Sequence, residues 1–167
     1  MKLFKVLFFI GFTIISSAFI YLTPYFFFNN LLKEAKNDMP IMRHVNEREV
    51  EYNIFNRYQN KLFSDISTDS LMPEQIKKKQ IIEQKLIYGV DLLIEETNLS
   101  YLFKTLREGS INNNQEIKTK LYYSNFNTFN IEFEVENKKQ IVELKRKNLI
   151  LWKMTDLIFE ADLNSLL

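Results

Sequence analysis

The uncharged run from Val6 to Phe28, VLFFIGFTIISSAFIYLTPYFFF, constrains this chain more than any other stretch. A helix crosses the hydrocarbon core of a bilayer with about 20 mostly apolar residues, and about 17 suffice. Val6 to Leu22 reaches that lower bound alone, with Lys2 and Lys5 just before it. A cleaved signal peptide has a basic start, a shorter apolar core of roughly 7 to 15 residues and a small-residue cleavage site. Ser16-Ser17-Ala18 fits such a site, but cleavage there leaves a terminus beginning FIYLTPYFFF, still strongly apolar. The expectation is an uncleaved, single-pass anchor over residues 1–28 that contacts the lipid bilayer. Gly11, Thr13, Ser16 and Ser17 do not oppose it, because a helix satisfies its own backbone. Lys2 and Lys5 nearly balance Lys33, Lys36 and Arg43 across the span. A very short basic tail ordinarily stays in the cytoplasm, which puts the remainder outside the inner membrane.

Residues 29–167 are enough for one domain. With 22 basic and 21 acidic residues, net charge +1, there is no field of the kind that attracts nucleic acid. The absence of cysteine removes disulfides, thiol nucleophiles and thiolate metal sites together. Three glycines, at 11, 89 and 109, are too far apart for a phosphate-binding loop.

Past the anchor, Phe28, Leu31, Leu32 and Ala35 keep helical spacing, and a helix leaving the bilayer ends before Pro40. His44 reads as an isolated surface histidine. Asn46 and Glu49 have the spacing of a capping box, with Val45 and Val50 placed as a hydrophobic staple. The helix they open carries Val50, Ile54, Phe55, Tyr58 and Leu62 on one face. Pro73 opens a third helix whose stripe is Ile76, Ile82, Leu86, Val90, Leu93 and Ile94. Lys77 to Lys79 read as a solvated face. A break near Thr97-Asn98 precedes Leu99, Leu102, Phe103 and Leu106, with Gly109 as a left-handed stop.

The period then changes to two. Phe129, Ile131, Phe133 and Val135 alternate with Asn130, Glu132, Glu134 and Glu136, a strand with one wet face. A turn at Asn137-Lys138 sets Phe133 opposite Val142, Ile131 opposite Leu144, Glu136 opposite Lys139 and Glu132 opposite Glu143. A second turn at Lys147-Asn148-Leu149 sets Trp152 opposite Leu144 and Met154 opposite Val142. Ile117 to Tyr123 supplies a fourth strand. The expected fold is α+β: an N-terminal transmembrane helix, then helices packed on an antiparallel β-meander.

The step Thr23-Pro24-Tyr25, the spacing Leu31-Leu32-x-x-Ala35 followed by Asp38, and a last strand reading Leu151-Trp152-Lys153-Met154-Thr155 carry a resemblance. On these motifs the chain resembles a bacterial family of single-span membrane-anchored proteins known only as a domain of unknown function. The resemblance implies a cell-envelope location and no catalytic residue. The order of helices before a curved sheet is also similar to the cystatin-like or nuclear-transport-factor-like cone, a likeness of fold and not of function.

Catalysis needs a nucleophile, a tuned acid or base, or a metal. Adjacent Glu95 and Glu96 diverge by about 100° on a helix and cannot act as a pair. Glu132, Glu134 and Glu136 share a strand face and have oxygens suited to a cation, but the solvated side of a sheet looks the same. Asp156 is the one acid whose place in a strand suggests burial. No catalytic, metal or cofactor site is expected. Two function classes follow: a non-catalytic module that holds a membrane or juxtamembrane protein partner, or a binder of an apolar, lipid-like small molecule in a pocket lined by Phe103, Phe133, Leu144 and Trp152.

Overall fold

A computed structural model describes residues 2–63, 73–108, 117–135 and 138–159. Among these, one helix dominates. Helix α1, Lys2–Lys36, is 35 residues long and continuous through Pro24. No element boundary falls at residue 28. The helix is long and apolar enough to cross a membrane, and only 6% of its most apolar window is buried within the protein. That exposure distinguishes it from the core helix of a soluble domain, whose apolar surface is covered by its own chain.

Past Leu22 the same helix becomes structural. Thr23, Pro24, Phe28, Leu31 and Ala35 are buried, and this half packs against α4, Glu96–Glu108, whose Leu99, Phe103 and Leu106 face the core. α1 ends where Asp38 takes a left-handed conformation, φ 51°. Met39 N donates to Glu34 O at 3.0 Å and Asp38 N to Ala35 O at 3.3 Å, the paired bonds of a Schellman stop. Asp tolerates this conformation better than most side chains.

Helix α2, Glu47–Phe63, begins at Asn46, as the capping signal predicts. The two capping side chains bond each other: Asn46 Nδ2 donates to Glu49 Oε2 at 2.6 Å. Val50, Ile54 and Tyr58 are buried, and Val45 with them. The expected staple side therefore faces inward, while the side chain of Leu62 lies outside the described residues. Helix α3, Pro73–Ile94, opens on Pro73. Its stripe is narrower than the spacing suggests. Leu86, Val90 and Ile94 are buried, whereas Ile76 is exposed along with Ile81, Ile87, Tyr88 and Leu92. The break between α3 and α4 falls at Glu95, two to three residues earlier than expected. The expected stop at Gly109 lies outside the described residues.

The sheet is an open antiparallel meander in the order β1-β2-β3-β4. Its strands are β1 Thr119–Asn125, β2 Thr128–Val135, β3 Lys138–Arg146 and β4 Trp152–Phe159. The faces are as predicted: Phe129, Ile131, Phe133, Val142, Leu144, Trp152 and Met154 are all buried on one side. The register differs by two residues. Ile131 pairs with Val142, Phe129 with Leu144, Phe133 with Gln140 and Glu132 with Ile141. A slip of two leaves every side chain on its face, so the apolar pattern cannot distinguish the two registers. Charge does distinguish them. The observed register removes the Glu132–Glu143 opposition, aligns Glu134 with Lys139, and lets Lys139 reach Glu132 at 3.1 Å. Lys138 belongs to β3, and the side chain of Glu136 lies outside the described residues.

Between β3 and β4 the correction has a second cause. Leu144 pairs with Met154 and Arg146 with Trp152, but Val142 pairs with Leu157. The extra residue on β4 is Thr155, a bulge. Without it Leu157 would point away from the core that it fills. The outer edge of β4 is closed by the chain before α2 and by α2 itself. Asn46 N donates to Met154 O at 2.8 Å, Asn53 Nδ2 to Thr155 O at 2.9 Å and Arg57 Nη1 to Leu157 O at 3.0 Å. An open strand edge is an aggregation template, and these donors occupy it.

Arg57 also pairs with Asp156, whose side chain is buried. Asp156 is thus held by an ion pair across 99 residues of sequence. Truncating Arg57 strands a buried carboxylate, so Arg57→Met is expected to cost about 3 kcal/mol in urea unfolding in detergent, and removal of both charges in Arg57→Met/Asp156→Leu to recover most of it.

Candidate functional site

A collar forms where α1 meets the turn end of the sheet. It originates in Pro24. A proline inside a helix has no N–H to offer the carbonyl four residues back, which here is Ile20 O. The Thr23 hydroxyl donates to that oxygen at 2.7 Å. The same hydroxyl accepts the indole Nε1–H of Trp152 at 2.9 Å, in a buried bond spanning 129 residues. A hydroxyl has one proton to give and lone pairs to receive, so Thr23 serves both partners at once.

Aromatic rings close around this bond. Tyr21 stacks on Tyr123 at 4.7 Å, and Tyr25 meets Phe129 edge-on at 4.8 Å. The Tyr123 hydroxyl donates to Tyr21 O at 2.6 Å. Burial pushes the Tyr123 phenol up. The Arg146 guanidinium lies 4.4 Å from both the Phe126 and Trp152 ring centres, a cation between two π faces.

A second polar cluster lies beyond α1. Arg43 Nη2 donates to Glu34 Oε1 at 2.6 Å, and His44 Nε2 sits 2.8 Å from Glu34 Oε2. His44 also meets the Phe27 ring edge-on at 5.2 Å. The expectation of an isolated surface histidine is thereby corrected. Its carboxylate partner comes from a helix ten residues earlier, which spacing rules for metal ligands do not search. Burial alone raises the Glu34 carboxyl, but hydrogen bonds from Arg43 and His44 outweigh it and hold the group below its ordinary value.

The residues singled out by sequence fall in different places. Phe103, Phe133, Leu144 and Trp152 are all fully buried in the core. Asp156 faces Arg57, Glu132 faces Lys139 and Tyr122, and Glu95 stands exposed between two helices. Among the described residues no three His, Asp or Glu side chains gather as a metal would require.

Two surface cavities are lined by other residues. One, of about 340 Å³, is a groove between α2 and α3 lined by Tyr52, Phe55, Ile87 and Val90 together with the charged Arg48, Glu51 and Asp91. The other, of about 450 Å³, lies beside the C-terminal ends of α1 and α4, among Lys33, Lys36 and Arg107. Sequence reasoning missed the groove because Ile87 and Tyr52 look like ordinary members of helical patterns. The available signal was an excess of apolar residues around α3, more than one stripe can bury. Comparison of the chain with protein-family models, with curated proteins and with solved structures gives no match.

Two outcomes test this description. Thr23→Val leaves the buried Trp152 N–H and the part-buried Ile20 O without this partner and is expected to cost about 1 to 3 kcal/mol in thermal unfolding, with the emission of Trp152, the single tryptophan, reporting the change. Thr23→Ser, which keeps the hydroxyl, is expected to restore most of it. Glu34 adds stability that is fully present above its ordinary value of 4.5 and is lost as pH falls through the lowered one. The stability gap between the native chain and Glu34→Gln is therefore expected to shrink below pH 4.5.

Proposed function

We propose that this chain is a membrane-anchored, non-catalytic interaction module whose α2–α3 groove holds an amphipathic helix of a neighbouring membrane or juxtamembrane protein. The groove carries the proposal: apolar side chains flanked by charges of both signs make the surface that such a helix recognises, through anchors at intervals of three and four. Restriction to a membrane plane raises the effective concentration of a partner, so a modest groove suffices. The family resemblance and the placement of the domain on the outer side of a bacterial inner membrane, with Lys2 and Lys5 in the cytoplasm, belong to the same proposal.

The second reading, an apolar or lipid-like ligand, is favoured by the volume of the same groove, about 340 Å³, within the range of small-molecule sites. It moves the ligand from the centre of a cystatin-like cone to the helical side. Phe103, Phe133, Leu144 and Trp152 then serve as core beneath it.

Photo-crosslinking from position 87 in intact membranes is expected to give a discrete protein adduct that Tyr52→Glu abolishes without lowering the melting temperature. An adduct of lipid mass alone would favour the ligand reading. Full cellular activity of Tyr52→Glu and Ile87→Glu together with no adduct of either kind would overturn both.

A further inference from the structure

We infer that the two sheet turns beside the collar form a second membrane contact, entering the lipid interface next to α1. This rests on the reading of α1 as a membrane span and is independent of the partner groove.

Height is set by the collar. Val6 to Leu22 rises about 26 Å at about 1.5 Å per residue, close to the thickness of the hydrocarbon core. Tyr21 and Thr23 then stand at the boundary between lipid and water. The sheet is tied to the helix at that level, through Tyr123 on Tyr21 O and Trp152 on Thr23. Tyrosine collects at this boundary, and the Tyr21 side chain is exposed there.

At the same level the turns present apolar side chains where turns are ordinarily polar. Phe126, in the β1–β2 turn, is 62% exposed. Leu149, Ile150 and Leu151, between β3 and β4, are 61%, 56% and 56% exposed. Arg146 holds both turns together: its Nη1 donates to Leu149 O at 2.6 Å and its Nε to Phe126 O at 3.3 Å. Its Nη2 lies 3.4 Å from the Tyr123 hydroxyl, which itself bonds α1. Four exposed apolar groups from two separate turns are thus brought to one place beside the span.

The backbone of these turns is prepared for a medium poor in water. Asn148 Oδ1 accepts from Ile150 N at 3.1 Å and from Leu151 N at 2.9 Å. Lys147 N donates to Leu151 O at 2.8 Å, Arg146 N to Asn127 O at 2.9 Å, and Asn127 N to Asn125 Oδ1 at 2.9 Å. Internal satisfaction of this kind is what lipid demands of a backbone. The Arg146 head is engaged likewise, lying between the Phe126 and Trp152 rings and donating to both turn carbonyls. A lipid surface, continuous with the one that receives α1, therefore accounts for the exposed rings and side chains without a further protein.

The chain has no cysteine, so a single environment-sensitive label can be placed at will. Full-length Phe126→Cys and Ile150→Cys are compared in phosphatidylcholine vesicles with Ile15→Cys inside the span and Tyr88→Cys on α3. The lipids carry a quencher either near the headgroup or deep in the acyl chain. Labels at 126 and 150 are expected to be quenched severalfold more than the label at 88, most strongly by the shallow quencher, while 15 responds to the deep one. If 15 is quenched and 126 and 150 match 88, the turns stay in water and the inference is overturned with the span intact. If 15 is not quenched, the span reading itself fails, and this inference with it.

Discussion

The attachment of the apolar helix to the sheet turns on one hydroxyl. Thr23 stands where Pro24 has removed a helical donor, and its side chain both closes the gap at Ile20 O and receives Trp152. A proline-free helix would have no orphaned carbonyl there, and a helix without Thr23 would present the indole with nothing to bond. The result is that a segment able to cross a membrane is also a core element of the domain beside it. Apolar segment and domain are not joined by a linker; they share α1.

This sharing has mechanical consequences. A flexible tether lets a domain sample a volume set by its length. A helix that runs from apolar surface into a packed core instead fixes the height and tilt of the sheet relative to the span. The α2–α3 groove and the turns at Phe126 and Leu149–Leu151 are then presented at set positions with respect to α1. Polar attachment recurs farther along β4, where Asn46, Asn53 and Arg57 close its edge. The helical layer is therefore tied to the sheet by directional bonds as well as by apolar burial.

Much of the fold was legible because it is local or periodic. Spacing of three and four identified the inward faces of α1, α2 and α4, and a period of two identified the faces of β2 and β3. Asn46 and Pro73 marked helix starts through backbone chemistry that needs no distant partner. The misplaced register shows where such signals end, since a slip of two preserves every face and only the charges across the strands choose between the alternatives. Thr155 is similar. Trp152 and Met154 alternate with Leu157 out of phase, a break that only a bulge reconciles.

The sequence by itself determined that an uncharged helix of membrane-spanning length precedes an α+β domain, because hydropathy and periodicity act over a few neighbouring residues. Only the tertiary structure decided what that helix is attached to. The partners of Thr23, Tyr21, His44 and Asp156 lie from 10 to 129 residues away in the chain. No local pattern encodes such pairs. They arise when burial leaves a donor or acceptor that must find its complement, and which complement it finds is set by how the layers come together.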